Sequence, residues 1–317
     1  MIVRTTNYNN TSMMNNLTVQ QNKLYDAYNK INNNEKFSNI SENPIDATGV
    51  ININTQLQKI EMYTKNIDNA TAQINVQDST FSTIVDKMQR INDLTIQAAN
   101  GASGSSGIEA TKTEIKQLKE NIVALANTQY NGIYIFGGAN TATPPYSLSD
   151  DGSIVYSGTP STDSSYERKL DIADGVSVTL NAAGDSVFGS YDAGDPTATP
   201  PVAASGTGLF KSLGDLESLL NESPVDTEKV TAQLEPIQNA IKNVSEIQSI
   251  YSASISKMTM TQTNHDDTTL VLKSQKQDLQ EVDQTTAISE FVKQNYAYQA
   301  SMQVFMQMQN QSLLNYM

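Results

Sequence analysis

The chain has 317 residues, a formal net charge of −14 and 38% apolar residues. It contains no Cys, which excludes disulfides, thiol nucleophiles and thiolate metal sites, and its single His, His265, argues against His-based triads and His-rich metal sites. No apolar run reaches the roughly 20 residues of a membrane span, and no basic patch indicates a nucleic-acid binder.

The charge is unevenly distributed along the chain. Residues 140–236 carry fifteen acidic and four basic side chains. Residues 1–36 carry two acidic and four basic side chains, and residues 286–317 carry one acidic and one basic side chain. We therefore expect the two ends to approach other copies without much repulsion, and the acidic middle to stay solvated. The start, Met1–Thr11, is polar and is not a Sec-type signal peptide, so any export is expected to use another route.

The first predicted element is a helix over residues 13–31. Its apolar positions alternate in steps of four and three, a heptad seam that ends in three Asn residues. The seam consists of Met13, Leu17, Gln20, Leu24, Ala27 and Ile31. About three heptads are marginal for an independent coiled coil, so a partner helix is needed, whether within this chain or in another.

A pair of helices follows, joined by a turn. Asn43 suits an N-cap and Pro44 the first helical position, and the apolar pattern then predicts a helix from Pro44 to Ala99, about 80 Å long. A repeat sustained over this length indicates coiled-coil packing. The Gly- and Ser-rich stretch 100–107 predicts a turn without a phosphate-binding pattern, and the next helix, through residues 115–129, is expected to pack antiparallel on the first.

Residues 139–208 differ in composition and predict a small antiparallel β domain. Most of the Pro and Gly lie here, and Asp- and Gly-containing turns separate short β-prone runs. These runs are Ile154–Ser157, Tyr166–Ile172 and Val176–Leu180. Asp150 and Asp151 precede a Gly but lack the spaced ligand series of a Ca²⁺ loop, so a plain turn is the interpretation.

Helical periodicity returns at Leu209. A short amphipathic piece stops near Pro224, and a longer seam runs from Val230 almost to Val282. The closing helix, residues 287–317, contains no Pro or Gly and only two charged side chains, so its apolar side needs cover from this chain or from another.

We interpret the two terminal helices as an assembly surface that is buried between subunits, with an intramolecular core as the alternative. The candidate interface residues are Met13, Leu17, Leu24, Ile31, Ile288, Phe291, Met302, Phe305 and Leu313. A two-helix stalk alone would be poorly stable, which favours burial between subunits.

The order of elements predicts a mainly α fold with a β insertion. We expect a long antiparallel coiled-coil helical bundle formed by the N- and C-terminal halves, plus a small central antiparallel β domain, with both chain ends brought together. The expected segments are an N-terminal assembly helix (1–40), the N-terminal half of the bundle (41–138), an outer β domain (139–208), the C-terminal half of the bundle (209–284) and a C-terminal assembly helix (285–317).

Several motifs resemble the bacterial flagellin superfamily along nearly the whole chain. Ser41–Ala47 resembles its Ser-x-Asp-Asp-Pro-x-x-Ala helix start, with Asn43 where a second Asp is usual. Asn127–Gly132, followed by Tyr134–Gly138, is the most specific match. Together with Thr143–Tyr146, this stretch looks like the hook–filament junction proteins of the superfamily rather than its filament subunits.

The resemblance implies a structural subunit, neither enzyme nor cofactor-binding, in the junction ring between flagellar hook and filament. Implied partners are copies of itself, a neighbouring hook-associated junction protein, flagellin, and a cytoplasmic export chaperone on the C-terminal helix, but neither nucleic acid nor a membrane. It also implies type III export as an unfolded chain and an extracellular location at the hook–filament junction. One departure is the run of three Asn at 32–34, where a Ser-Gly pair is common.

Three alternative functions remain open. A flagellin would form filaments by itself, and a secreted coiled-coil adhesin would bind a receptor through its β domain. An enzyme would need carboxylate chemistry, for which Asp171 with Asp174, or Asp192 with Asp195, are the nearest pairs; loop Asp residues in an acidic domain are usually solvated. We interpret His265, which has Asp neighbours, as part of a solvated helix face.

Overall fold

The computed structural model describes residues 2–37, 39–100, 104–149, 151–163, 165, 167–194 and 204–314. At residues 2–10, 104–105 and 309–314 it describes the backbone alone. Its helices are α1 (Ile2–Asn33), α2 (Pro44–Ala99), α3 (Gly104–Ala126), α4 (Gly184–Val187), α5 (Gly208–Asn221), α6 (Thr227–Ala232), α7 (Leu234–Gln280) and α8 (Gln284–Leu314). Its strands are β1 (Gln129–Tyr130), β2 (Ile133–Tyr134), β3 (Tyr146–Leu148), β4 (Ile154–Tyr156), β5 (Lys169–Ala173), β6 (Val176–Thr179), β7 (Ser190–Asp192) and β8 (Ser205–Thr207).

The chain divides into two compact units. The terminal unit comprises Met1–Ile60 and Asp266–Met317, and the central unit comprises Glu61–His265. The predicted fold class, long helices with a small antiparallel β insertion, is confirmed. The predicted five-segment division is finer than these two units and stays a prediction.

In the central unit, α2 and α7 run antiparallel, as the predicted return of the second half requires. Thr71 Oγ1 lies 3.8 Å from Met258 Sδ, and further along α2 the Gln248 amide donates a hydrogen bond to Asp78 Oδ1 at 3.0 Å. The helix start predicted at Pro44 is also observed, because Asn43 Oδ1 accepts from the backbone N–H of Asp46 at 3.3 Å.

An aromatic cluster joins the β region of the central unit to its helices. The ring centroid of Phe136, just after β2, lies 5.4 Å from that of Phe81 on α2 and 5.1 Å from that of Phe188, which follows α4. All three side chains are fully buried. The two glycines after Phe136 permit this path: a Cβ on Gly137 would lie 2.1 Å from the Asn140 carbonyl oxygen, and Gly138 has φ +65°.

The β region holds a four-stranded antiparallel sheet in the order β3-β4-β7-β8 and two hairpins, β1–β2 and β5–β6. The strand predicted at Ile154–Ser157 corresponds to β4 and that at Val176–Leu180 to β6, while Tyr166 lies outside the described residues. Strands β7 and β8 were not predicted. Each has three residues and no apolar alternation. Their antiparallel pairing joins segments that are separated in the sequence, so a local pattern does not reveal it.

Three helix boundaries differ from prediction. Helix α1 begins at Ile2 rather than near Met13, because its polar start contains no Pro or Gly that would end a helix. Helix α3 begins at Gly104, so the predicted turn over 100–107 is too long; small residues are tolerated in a first helical turn. The seam from Val230 is interrupted at Gln233, between α6 and α7.

Candidate assembly interface

The terminal helices α1 and α8 lie side by side in the terminal unit. The rings of Tyr28 and Phe291 are 6.4 Å apart, and Glu35 forms an antiparallel bridge with Glu281. The residue numbers therefore increase in one helix as they decrease in the other, so the two helices are antiparallel. This pairing gives each terminal helix one neighbour from its own chain.

Most described side chains at the contact between α1 and α8 are only partly buried. Ala27 and Ala287, one from each helix, are buried, and the smallness of their side chains suits close approach of the backbones. The predicted interface residues that are half-buried are Met13, Leu17, Leu24, Ile31, Phe291, Met302 and Phe305. Ile288 is exposed, and the side chain of Leu313 lies outside the described residues. Burial of these residues between copies stays a prediction.

An open groove of about 300 Å³ lies between the two terminal helices. It brings together two of the predicted interface residues, Leu24 and Phe291, with three tyrosines. The lining residues are Gln21, Leu24, Tyr25, Tyr28, Phe291 and Tyr298. Tyr25 and Tyr28 are more than half exposed, so this face is aromatic and accessible rather than a closed core.

The outer surface of α8 carries a row of exposed residues at every fourth position, which we call the α8 ridge. The ridge consists of Ile288, Val292, Tyr296, Ala300, Val304 and Met308. Its five large members are 43–68% exposed. Rows of this spacing are the ridges that pack into the grooves of a neighbouring helix. The ridge contains no charged residue, so it offers an apolar surface for another helix.

The paired ends are joined by a set of hydrogen bonds where α1 stops and α7 gives way to α8. Asn34 donates from Nδ2 to Glu281 Oε1 at 2.8 Å, and its Oδ1 accepts from Gln284 Nε2 at 2.8 Å. The backbone N–H of Lys36 donates to the Gln280 carbonyl at 2.8 Å. Asn34 has φ +56°, a left-handed conformation that Asn tolerates better than other non-Gly residues. We call these five residues the clasp.

Carboxylates near the start of α8 are stabilised in their ionised form. Hydrogen bonds from Thr286 and then Thr285 lower the pKa of Asp283, which caps the helix. The pKa of Glu290 is lowered by hydrogen bonds from Gln294 and Lys293. Both carboxylates are exposed, and both lie at or near the first turns of α8.

Two family descriptions match this arrangement of ends. "Bacterial flagellin N-terminal helical region" matches residues 5–141, and "Bacterial flagellin C-terminal helical region" matches residues 234–317. Together they cover well over half of the chain and leave between them residues 142–233, which include the four-stranded sheet and the β5–β6 hairpin. The chain belongs to the flagellin superfamily. The matched residues include most of α1 and all of α8, together with α2, α3 and α7.

Relatives within the superfamily match the chain over most of its length. It is 27% identical over 284 residues to flagellar hook-associated protein 3 of Escherichia coli strain K12, covering 87% of both chains. It is 24% identical to the protein of the same name from Salmonella typhimurium, covering 88% of both. Flagellin 1 of Proteus mirabilis is 25% identical, over 71% of this chain and 60% of that protein.

Solved structures show the same superfamily fold. A putative flagellar hook-associated protein from Vibrio parahaemolyticus aligns with TM-score 0.62 at 19% identity, covering 76% of this chain and 100% of that one. FlgL of Bacillus cereus aligns with TM-score 0.56 at 19% identity, covering 71% of this chain and 99% of that one. At this identity the likeness concerns the fold.

His265 is not on a solvated face, which corrects the sequence interpretation. It is half-buried, its Nε2–H donates to the Ile172 carbonyl at 2.7 Å, and its ring stacks on Tyr63 with centroids 5.9 Å apart. Tyr63 in turn donates to Asp174 Oδ1 at 2.9 Å. In this superfamily chain the single His therefore packs the β5–β6 hairpin against helices of the central unit, an arrangement that helical periodicity alone does not reveal.

The carboxylates of Asp151 and Asp192 take part in turns. Asp151 accepts from the backbone N–H of Ser153 at 3.0 Å, and Asp192 accepts from the backbone N–H of Gly194 at 2.8 Å. Asp150 and Asp195 lie outside the described residues. Among the residues that the structure describes, no three His, Asp or Glu side chains are grouped as metal ligands, and no helix has the length and apolar character to cross a membrane.

The α8 ridge was not predicted as a distinct surface. Most predicted interface residues lie on the seam that faces α1, because a heptad pattern identifies the positions that meet a partner helix, whereas Ile288 belongs to the ridge. The signal for the ridge was present as an i, i+4 series without charge from Ile288 to Met308. Only the position of α1 shows which apolar residues of α8 it covers and which remain exposed.

Proposed function

We propose that the chain is a structural subunit of the bacterial flagellum that forms the junction ring between hook and filament, and that its copies join through their terminal helices. The observation that carries the proposal is the α8 ridge, an apolar surface left uncovered by its own chain. Residues 286–317 carry one acidic and one basic side chain, so repulsion between copies is small.

The length of the similarity supports a junction subunit over a filament subunit. The two relatives named hook-associated protein 3 are matched over 87% and 88% of their own length. Flagellins are matched over less of theirs, 60% in Proteus mirabilis and 27% in a Salmonella phase 1 flagellin. A filament subunit remains the alternative, and the relatives' names provide no support for an enzyme.

The proposed partners are other flagellar components. They are copies of this chain in a ring, a neighbouring hook-associated junction protein, flagellin, and a cytoplasmic chaperone that holds α8 before export. An uncovered apolar helix supports the chaperone, because such a surface in the cytoplasm is prone to non-specific association. Export as an unfolded chain through the flagellar type III apparatus would place the folded subunit outside the cell.

Electron microscopy with gold-labelled antibody against the chain tests this proposal in cells that lack the chromosomal gene and carry it on a plasmid. We expect one band of label per flagellum, at the hook–filament boundary, and loss of swimming without the plasmid. Label along the whole filament would favour the flagellin alternative. Label on the cell surface with unchanged swimming would favour an adhesin, and either pattern would refute the junction proposal.

A further inference from the structure

Methionine is concentrated in the described parts of the terminal helices. Five of the eleven methionines of the chain lie there, two on α1 and three on α8. These are Met13, Met14, Met302, Met306 and Met308. Unbranched thioether side chains fill irregular apolar contacts and are frequent at surfaces that bind more than one partner. The same sulfur atoms are open to two-electron oxidation.

Three of these methionines are accessible and lie at a similar level along the helix pair. Met14 is 59%, Met306 56% and Met308 51% exposed. The contact between the rings of Tyr28 and Phe291 fixes the level of the two antiparallel helices. Met14 precedes Tyr28 by as many residues as Phe305 follows Phe291. Met14 of α1 therefore lies at the level of residues 305–308 of α8. We call Met14, Met306 and Met308, which are exposed at this level on different sides of the helix pair, the methionine patch.

We propose that the methionine patch is an oxidative modification site whose conversion to sulfoxide blocks assembly of the chain. The oxidant is a peroxide of the hydrogen peroxide class. Its terminal oxygen is transferred to the thioether sulfur as the O–O bond breaks, giving one methionine sulfoxide and one water for each peroxide. The sulfur loses two electrons and the peroxide gains them, so no further reactant is needed.

Accessibility separates the patch from the core methionines. Met88 and Met258 are fully buried in the central unit, where a peroxide reaches them only after local unfolding. Met62 and Met260 are exposed like the patch, at 49% and 70%, but lie on α2 and α7 rather than on the terminal helices. Met88 and Met258 therefore show how far burial protects a methionine from peroxide. Met62 and Met260 show whether oxidation outside the terminal helices affects assembly.

At Met308, which belongs to the α8 ridge, the chemical change acts directly on the proposed interface. A sulfoxide oxygen is a strong hydrogen-bond acceptor, whereas the α8 ridge and its surroundings present apolar side chains whose helical backbone N–H groups are already bonded. A sulfoxide buried there stays without a donor, so we expect about tenfold weaker association for each one. Oxidation can act only before assembly, because burial between copies would shield the sulfur atoms.

This inference rests on the proposed function, and one binding experiment separates the two. Purified, labelled full-length chain is treated with hydrogen peroxide, the oxidised methionines are located by mass spectrometry, and the chain is sedimented with hook–basal bodies isolated from cells that lack its gene. We expect oxidation at the patch and about a hundredfold or greater loss of binding when two or three patch residues are oxidised. Treatment with methionine sulfoxide reductases specific for both epimers should restore binding.

A matched pair of variants distinguishes the patch from damage elsewhere. The triple variant Met14→Leu, Met306→Leu, Met308→Leu keeps apolar volume and helix propensity, so it should bind like the wild type and stay competent after peroxide. The control Met62→Leu, Met260→Leu should lose binding after peroxide as the wild type does. Loss of binding by the oxidised triple variant, or full binding by wild type oxidised at the patch, would overturn the proposal. Failure of the untreated wild type to bind would instead refute the proposed function beneath it.

Discussion

Replacement of two valines of the α8 ridge by serine should weaken assembly without unfolding the chain. Val292 is 43% exposed and Val304 is 47% exposed, so about half of each side chain is available for burial by a neighbouring copy. Full burial of a Val side chain contributes about 1.5–3 kcal/mol, which gives about 1 kcal/mol for each remaining half. The double variant Val292→Ser, Val304→Ser should therefore bind about 30-fold more weakly.

Serine is the informative replacement because its helix propensity is close to that of valine, so α8 itself should be little affected. The assay is sedimentation of the labelled chain with hook–basal bodies over a range of concentrations, alongside circular dichroism of the free chain. Val271→Ser, a change at a 54% exposed valine on α7 outside the terminal helices, is the matched control and should bind like the wild type. Equal affinity of the double variant and the wild type, or equal weakening by the control, would refute the assignment of the ridge as the interface.

Three other outcomes are expected. Asn34→Ala should destabilise the clasp by about 1–2 kcal/mol, because Ala is strained at φ +56° and the hydrogen bonds of the Asn side chain are lost. Asn34→Gly should destabilise it less, because Gly adopts this φ without strain and only the hydrogen bonds are lost. Hydrogen exchange at the start of α8 measures both effects. Because the pKa of Asp283 is lowered in the fold, its stabilisation of α8 is present above about pH 4 and is lost as the pH falls through the folded value; Asp283→Asn should remove this dependence from acid hydrogen-exchange profiles. Burial raises the pKa of Tyr156 to about 12, so its stabilising contribution is complete below about pH 10 and declines as the pH rises through 12; Tyr156→Phe should lower stability at neutral pH and flatten the alkaline unfolding curve.

The helical architecture was predictable because its signals are local and repeated. The bounds Pro44–Ala99 follow from a cap, a favourable first residue and an unbroken apolar repeat, and the structure reproduces both ends. The four-stranded sheet was only partly predictable. Its last two strands are short, and their pairing, as between Tyr191 and Gly206, is determined by neighbours distant in sequence.

The candidate interface was predictable as a region more than as a set of residues. Leu24 and Phe291 do meet in one groove, since the seam positions of paired helices face each other. Ile288 was chosen from the same pattern but lies exposed on the ridge. The clasp was not predictable, because the left-handed Asn34 and its bonds to Glu281 depend on a contact across most of the sequence.

The uncovered ridge and the clasp have a common physical consequence. Hydrogen bonds at the clasp hold the two terminal helices together at one end, while their side-by-side contact leaves large apolar side chains half-buried or exposed along the rest of the pair. Such a pair gains little free energy from its own burial and gains more when a further helix covers it. If copies join as proposed, we therefore expect folding of the terminal helices to depend on assembly: each added copy would stabilise the helices that bind the next one.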